Sequence, residues 1–156
     1  MKPPQKVLSY LDKNKMKYTL VEHKTVYTAY DVAQTLKMKL QEIVKTLLVK
    51  VDGKLALAVL PASARLDLKK LKVLAKAKKV ELPKENVMKT KLSIIPGALT
   101  PFGPLYKLPA YLDKNLLKQK AVLVGSGSFE FSLKMSPSVL VKATQPITGA
   151  FSAKKK

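Results

Sequence analysis

The chain has 156 residues but no cysteine and no tryptophan. Absence of cysteine excludes disulfides, thiolate nucleophiles and cysteine-held zinc. Histidine occurs once, at His23. A Ser-His-Asp triad could therefore run only through His23, and no Gly-x-Ser-x-Gly elbow accompanies it. Only 10 residues are acidic, scattered singly, with no Asp-x-Asp or Glu-x-x-His spacing. Neither a metal site nor a metal-hydrolase centre is supported by such a pattern. Glycines are few, 6 in all, and the run Gly97 to Gly103 lacks the Gly-Lys-Ser/Thr that closes a phosphate-binding P-loop. No apolar run reaches the ~18 residues a membrane-spanning helix needs. Aromatics are 6% of the chain, too sparse for a long base-stacking platform. An enzyme with so little acid–base machinery must rely on positioning and on backbone electrostatics.

What is abundant is positive charge. Thirty basic residues give a net charge of +20, and only Arg65 among them is arginine. Such an excess attracts polyanions, nucleic acid first and an acidic membrane surface second. Lysine is a mobile point charge, whereas arginine is the usual bidentate reader of guanine. The composition thus favours phosphate contact over base-specific readout. A highly charged surface selected for solubility or heat resistance is the plainer alternative. Apolar residues make up 47%, enough for a folded core in one domain. Met1-Lys2-Pro3-Pro4 lacks the apolar centre of a signal peptide, so the expected location is cytoplasmic, with no membrane partner.

Periodicity predicts a helix over 4–16, a strand over 18–21 and a helix over 29–36 that Thr28 can cap. Branched residues over 43–51, then Asp52-Gly53, then 55–60 predict a hairpin of two strands covered on both faces. A loop should follow over 61–65. Asp67 can cap a helix running to 77. A short strand over 78–82 and a helix over 83–92 come next. Strands are expected over 108–112, 121–124 and 129–134, and Ser136-Pro137 starts a last helix. Residues 1–145 read as a single domain, and 146–156 as a basic, disordered tail. Strands and helices are interspersed without a strict βαβ repeat, which implies an α+β fold with a mixed sheet or partial barrel and flanking helices.

Two features are candidates for chemistry. Ile95 to Gly103 holds two glycines and two prolines, with Gly97 and Pro101 in a Gly-x-x-x-Pro pattern. Such a loop can be rigid and can present backbone amides to a ligand, though an ordinary turn would look the same. Lys45 stands between Val44 and Thr46 in an apolar strand, where lysine is rarely buried unpaired; an outward-facing strand residue is the alternative.

These stretches resemble the YbaK / prolyl-tRNA-synthetase-associated editing domain family. The resemblance rests on Val44-Lys45-Thr46-Leu47-Leu48-Val49, Asp52-Gly53, Leu57 to Pro61, Asp67 to Leu71, Gly97 to Gly103, His23 with Ala33, and Val122 to Gly127. It spans 5–143. It implies a mostly antiparallel, barrel-like mixed sheet ringed by helices. It also implies a deacylase that hydrolyses the ester of mischarged aminoacyl-tRNA, typically alanyl- or cysteinyl-tRNA(Pro), without a cofactor. By position, Lys45 would contact the terminal adenosine and its phosphate. Gly97, Ala98, Thr100 and Pro101 would form the loop whose amides hold the ester carbonyl or the water. Tyr18, His23, Tyr27, Tyr30, Thr46, Gly125, Ser126 and Gly127 are candidates for binding substrate, and each tyrosine could equally pack in the core. Thr46 follows the cysteinyl-type members, while Pro96 to Phe102 reads like the alanyl type, so the amino acid stays open.

The expectation is therefore a trans-editing deacylase acting on aminoacyl-tRNA. The ester is already activated, and the neighbouring 2′-hydroxyl can assist water or attack directly. Prolyl-tRNA synthetase is a candidate partner. The competing expectation is a non-catalytic RNA-binding module associated with a synthetase or the ribosome.

Overall fold

The computed structural model describes residues 3–26, 28–84, 86–92, 94 and 99–154. Helix α1 (Gln5–Lys13) follows Pro4 and buries Val7 and Leu11, one turn apart on the same face. Strand β1 (Thr19–Glu22) leads to α2 (Ala29–Leu36). Thr28 caps α2, its hydroxyl accepting the Asp31 amide at 3.1 Å. Strands β2 (Val44–Val51) and β3 (Lys54–Pro61) form the expected hairpin. Its turn residues, Asp52 and Gly53, both take positive φ (48° and 83°), the requirement of the tight turn that matches strand twist.

Strand β4 (Ala64–Leu66) occupies what the sequence suggested as loop. Asp67 then caps α3 (Leu68–Ala75) by accepting the Lys69 and Lys70 amides. Strand β5 (Val80–Glu81) and helix α4 (Val87–Leu92) are shorter than expected. Next come α5 (Gly103–Tyr106), β6 (Ala110–Asp113), β7 (Val122–Gly125), β8 (Phe131–Met135) and α6 (Pro137–Thr144), capped by Ser136. Over its described residues, to Lys154, the expected disordered tail is corrected by the structure. Ile147–Gly149 forms β9, Ser152–Lys154 forms β10, and Phe151 between them is fully buried. The Asp113 carboxylate secures this segment by accepting the Phe151 amide at 3.1 Å.

A five-stranded sheet runs β5-β2-β3-β6-β9, a three-stranded one β1-β8-β7, and β10 pairs with β4. Five of these seven pairings are antiparallel; β3–β6 and β6–β9 are parallel. The fold is thus mixed α and β with mostly antiparallel sheets, as expected, and among the described residues the strands do not close into a ring. Strand β3 is central and covered on both faces. Val59 joins Val7, Leu11, Val124, Leu133 and Leu140 in one core, while Ala58 and Leu60 join Leu71 and Phe151 in another. Among the described residues one backbone bridge, Ile43 to Leu123, running parallel, links the two larger sheets at the edge of the first core.

Candidate active site

Beyond that bridge the two sheets part, and the opening is a cleft of about 480 Å³. One wall is β2. The Ala62 amide donates to the Ile43 carbonyl at 2.8 Å, so Ile43, Lys45 and Leu47 turn their backbone groups toward β3. Alternation along a strand then turns those of Thr46 and Leu48 to the opposite edge. Strand β5 covers that edge only at Lys50 and Val51. Among the described residues no strand pairs it beside Thr46 and Leu48. This open edge is why consecutive residues from Ile43 to Leu48 all line the cleft.

The opposite wall is Leu123, Val124 and Gly125 of β7 with Ser132 of β8; His23, Val26 and Val32 close one end, and Leu82 to Lys84 the other. Most of the lining is apolar, and its polar side chains are His23, Thr28, Lys45, Thr46, Lys84, Ser128 and Ser132. Lys45 is half-buried, and its ammonium donates to the Ala64 carbonyl at 2.7 Å. The strand thus carries a positive charge in an apolar setting, with one of the ammonium's three donors on a backbone carbonyl.

His23 leaves β1 and is held at both ring nitrogens. Nδ1 lies 2.8 Å from the Lys24 carbonyl, and Nε2 lies 2.9 Å from Ser132 Oγ. A carbonyl can only accept, so the neutral ring carries its proton on Nδ1 and accepts the Ser132 hydroxyl proton at Nε2.

Of the sequence candidates, the structure brings Lys45, Thr46, His23 and Gly125 together on the cleft. Gly97, Ala98 and Tyr27 lie outside the described residues. The described end of the Gly-x-x-x-Pro loop does reach the site, because Leu99 lines it and the Leu99 carbonyl lies 3.6 Å from where a side chain on Gly125 would begin. Thr100 and Pro101 are buried away from the lining. The Thr100 amide and hydroxyl both bond the Tyr106 hydroxyl, at 3.1 and 2.7 Å. Tyr18 packs against the first core and donates to Asp12 at 3.0 Å; burial, then that carboxylate, raises its phenol above the ordinary value. Tyr30 is exposed on α2 and accepts from Gln34, off the cleft.

Ser126 and Gly127 build the turn and do not line the site. The Ser126 hydroxyl donates to the Phe131 carbonyl at 2.6 Å and accepts the Ser128 amide, while Gly127 supplies a φ of 92°. Ser132 was missed in the sequence. It stands 109 residues from His23, and the alternating pattern of β8 marks it only as one of several small polar strand residues. Among the described residues no group of three or more acidic, histidine or cysteine side chains could hold a metal. No described helix is long and apolar enough to cross a membrane.

A mixed fold with an apolar cleft between parting sheets, one lysine in its strand wall and a lone histidine at its end defines a class. A family model described as the aminoacyl-tRNA editing domain matches residues 23–143, and the chain belongs to that family. By class it is an aminoacyl-tRNA deacylase. The prolyl-tRNA editing protein ProX of Acetoanaerobium sticklandii is 29% identical over 98% of this chain and 97% of its own. EbsC of Enterococcus faecalis, whose name describes a Cys-tRNA(Pro)/Cys-tRNA(Cys) deacylase, is 28% identical over 79% of this chain and 83% of its own. The crystal structure of the hypothetical protein APE2540 superposes with a TM-score of 0.86 at 27% identity, covering 96% of this chain and all of that one.

Proposed function

We propose that the protein acts in trans on mischarged tRNA(Pro), removing a small amino acid such as alanine or cysteine. The observation that carries this reading is the cleft itself, a small apolar chamber with Lys45 and Thr46 in one wall, Ser132 in the other and His23 hydrogen-bonded to Ser132 at one end. An aminoacyl ester would enter with its side chain against Val26, Val32, Ile43 and Leu123. The terminal phosphate and adenosine would lie toward Lys45. The volume is near the lower end of ordinary ligand sites, roughly 300–1,000 Å³, which suits a short side chain better than a long one.

The chemistry asks little of side chains, since the ester is activated and its 2′-hydroxyl stands beside the carbonyl. Two supports are available. Lys45 offers positive charge, and the open β2 edge turns the backbone N–H groups of Thr46 and Leu48 toward the cleft, where charge develops on the carbonyl oxygen. One such donor elsewhere contributes about 2.7–4 kcal/mol to the transition state. Both the prolyl-tRNA editing relative and the relative named for cysteinyl-tRNA deacylation are consistent with this reading.

The test is a panel of labelled tRNAs, including Ala-tRNA(Pro), Cys-tRNA(Pro) and correctly charged Pro-tRNA(Pro), incubated with the protein at low salt. The expected result is loss of alanyl or cysteinyl ester well above the buffer rate, with Pro-tRNA(Pro) spared. No loss beyond buffer for any member, with tRNA still bound, would replace the deacylase by a non-catalytic binder.

A further inference from the structure

His23 and Ser132 form a pair that 2′-hydroxyl assistance alone does not need. Ser132 is only 6% exposed, yet it lines the cleft. Its hydroxyl points its proton at His23 Nε2 over 2.9 Å, and the ring is fixed in the accepting tautomer by the Lys24 carbonyl at 2.8 Å. The backbone holds both partners. The His23 amide donates to the Glu130 carbonyl at 2.9 Å, and Ser132 stands between Val21 of β1 and Gly125 of β7. A hydroxyl, a base and an orienting acceptor in line are the parts of a proton-transfer chain.

We infer that Ser132 and His23 are a proton relay for the deacylation, an inference that rests on the deacylase reading above. As the oxygen of a water molecule, held beside the 2′-hydroxyl, bonds to the ester carbonyl carbon, its proton passes to Ser132 Oγ. Ser132 passes its own proton to His23 Nε2, and the carbonyl oxygen takes the negative charge. On collapse the bond from the carbonyl carbon to the 3′ oxygen breaks. The proton returns from His23 through Ser132 to that leaving oxygen, so every proton is accounted for and both side chains regain their starting state. Direct attack by Ser132 is disfavoured, because the residue is locked in mid-strand with neighbours on both sides. A relay needs only hydrogens to move. Ser132 is then the catalytic residue that touches the nucleophile, and His23 acts through it.

Single-turnover deacylation by the full chain tests this. Ser132→Ala and His23→Gln should each slow the ester cleavage by roughly 10²–10³-fold, the range of positioned proton transfer. Affinity for charged tRNA should stay within about threefold. The double variant should be no slower than the worse single, because members of one relay are not additive. Ser132→Thr keeps the hydroxyl and should recover most of the rate. Nitrogen NMR of the wild-type ring should show the Nδ1–H tautomer, with an Nε2 resonance that moves in Ser132→Ala. A Ser132→Ala rate within about threefold of wild type overturns the relay while leaving the deacylase standing. So does an aminoacyl group trapped on Ser132 by acid quench and mass analysis. A Nε2–H tautomer also overturns it, whatever the activity. A wild type that cleaves no ester overturns the deacylase reading and the relay with it.

Discussion

In the proposed reaction, Lys45 is the residue at which fold and chemistry meet. Its strand is apolar on both sides, and its ammonium is held by a backbone carbonyl on β4. Replacing it with alanine removes one charge from the cleft wall and one charge-assisted hydrogen bond. We expect Lys45→Ala to lower kcat/KM for mischarged tRNA by roughly 10²-fold, the scale of losing one preorganised electrostatic contact. Stability should fall by only about 1–2 kcal/mol, because the site is half-exposed. Deacylation kinetics beside a denaturant melt separate the two effects, and an unchanged rate removes Lys45 from the site. The lysine was legible in the sequence because an isolated charge in an apolar strand is conspicuous. Ser132 was not, since a serine in a strand is unremarkable until the fold sets it against a histidine 109 positions away.

Elements with local signals matched their sequence closely. Helices α2, α3 and α6 carry Thr28, Asp67 and Ser136 as caps, and the β2–β3 hairpin carries Asp52-Gly53. Strands β4, β9 and β10 have no such signal. Each is three residues long and exists through partners far away, such as Lys154 opposite Ala64 or Ile147 opposite Tyr111. The described part of the tail, to Lys154, is ordered for the same reason, through Phe151 and the buried Asp113. Two changes test how elements begin and end. Gly103 opens α5 where an added Cβ would stand 2.5 Å from the Leu108 carbonyl oxygen. Backbone on both sides cannot give way cheaply, so Gly103→Ala should destabilise by about 1–3 kcal/mol in a urea melt. A cost near zero would show that α5 shifts freely. Helix α3 instead ends on exposed Lys76 at φ 54°, a left-handed position that suits glycine. Lys76→Gly should raise stability by about 0.5–1 kcal/mol, seen as a Tm higher by roughly 1–4 °C, with deacylation unchanged. A lower Tm would mean that chain entropy outweighs the backbone strain.

At the scale of the whole molecule, thirty basic residues face ten carboxylates. Pairing cannot neutralise them, and pairs such as Lys79–Glu81, 3.2 Å apart at the surface, contribute little to stability. The field left over is attractive to a phosphate backbone at every orientation. In the proposed reaction the cleft takes only the last nucleotide and its amino acid, so most of the binding free energy is expected from this field. Counterion release then sets the salt dependence. With about four phosphates engaged, the affinity for tRNA should drop roughly 10²-fold between about 50 and 200 mM salt, since each contact adds about 0.7–0.9 to the log–log slope. Charged and uncharged tRNA should share that slope, because the ester adds no phosphate. Single-turnover cleavage at saturating enzyme should vary far less with salt, because the reacting groups lie in a partly enclosed apolar cleft where ions screen weakly. Binding by filter retention and cleavage by acid quench, run across the same salt series, separate these quantities. A binding slope near zero would make the lysines a matter of solubility. Equal losses in binding and in the saturated rate would place phosphate contact in the chemical step itself.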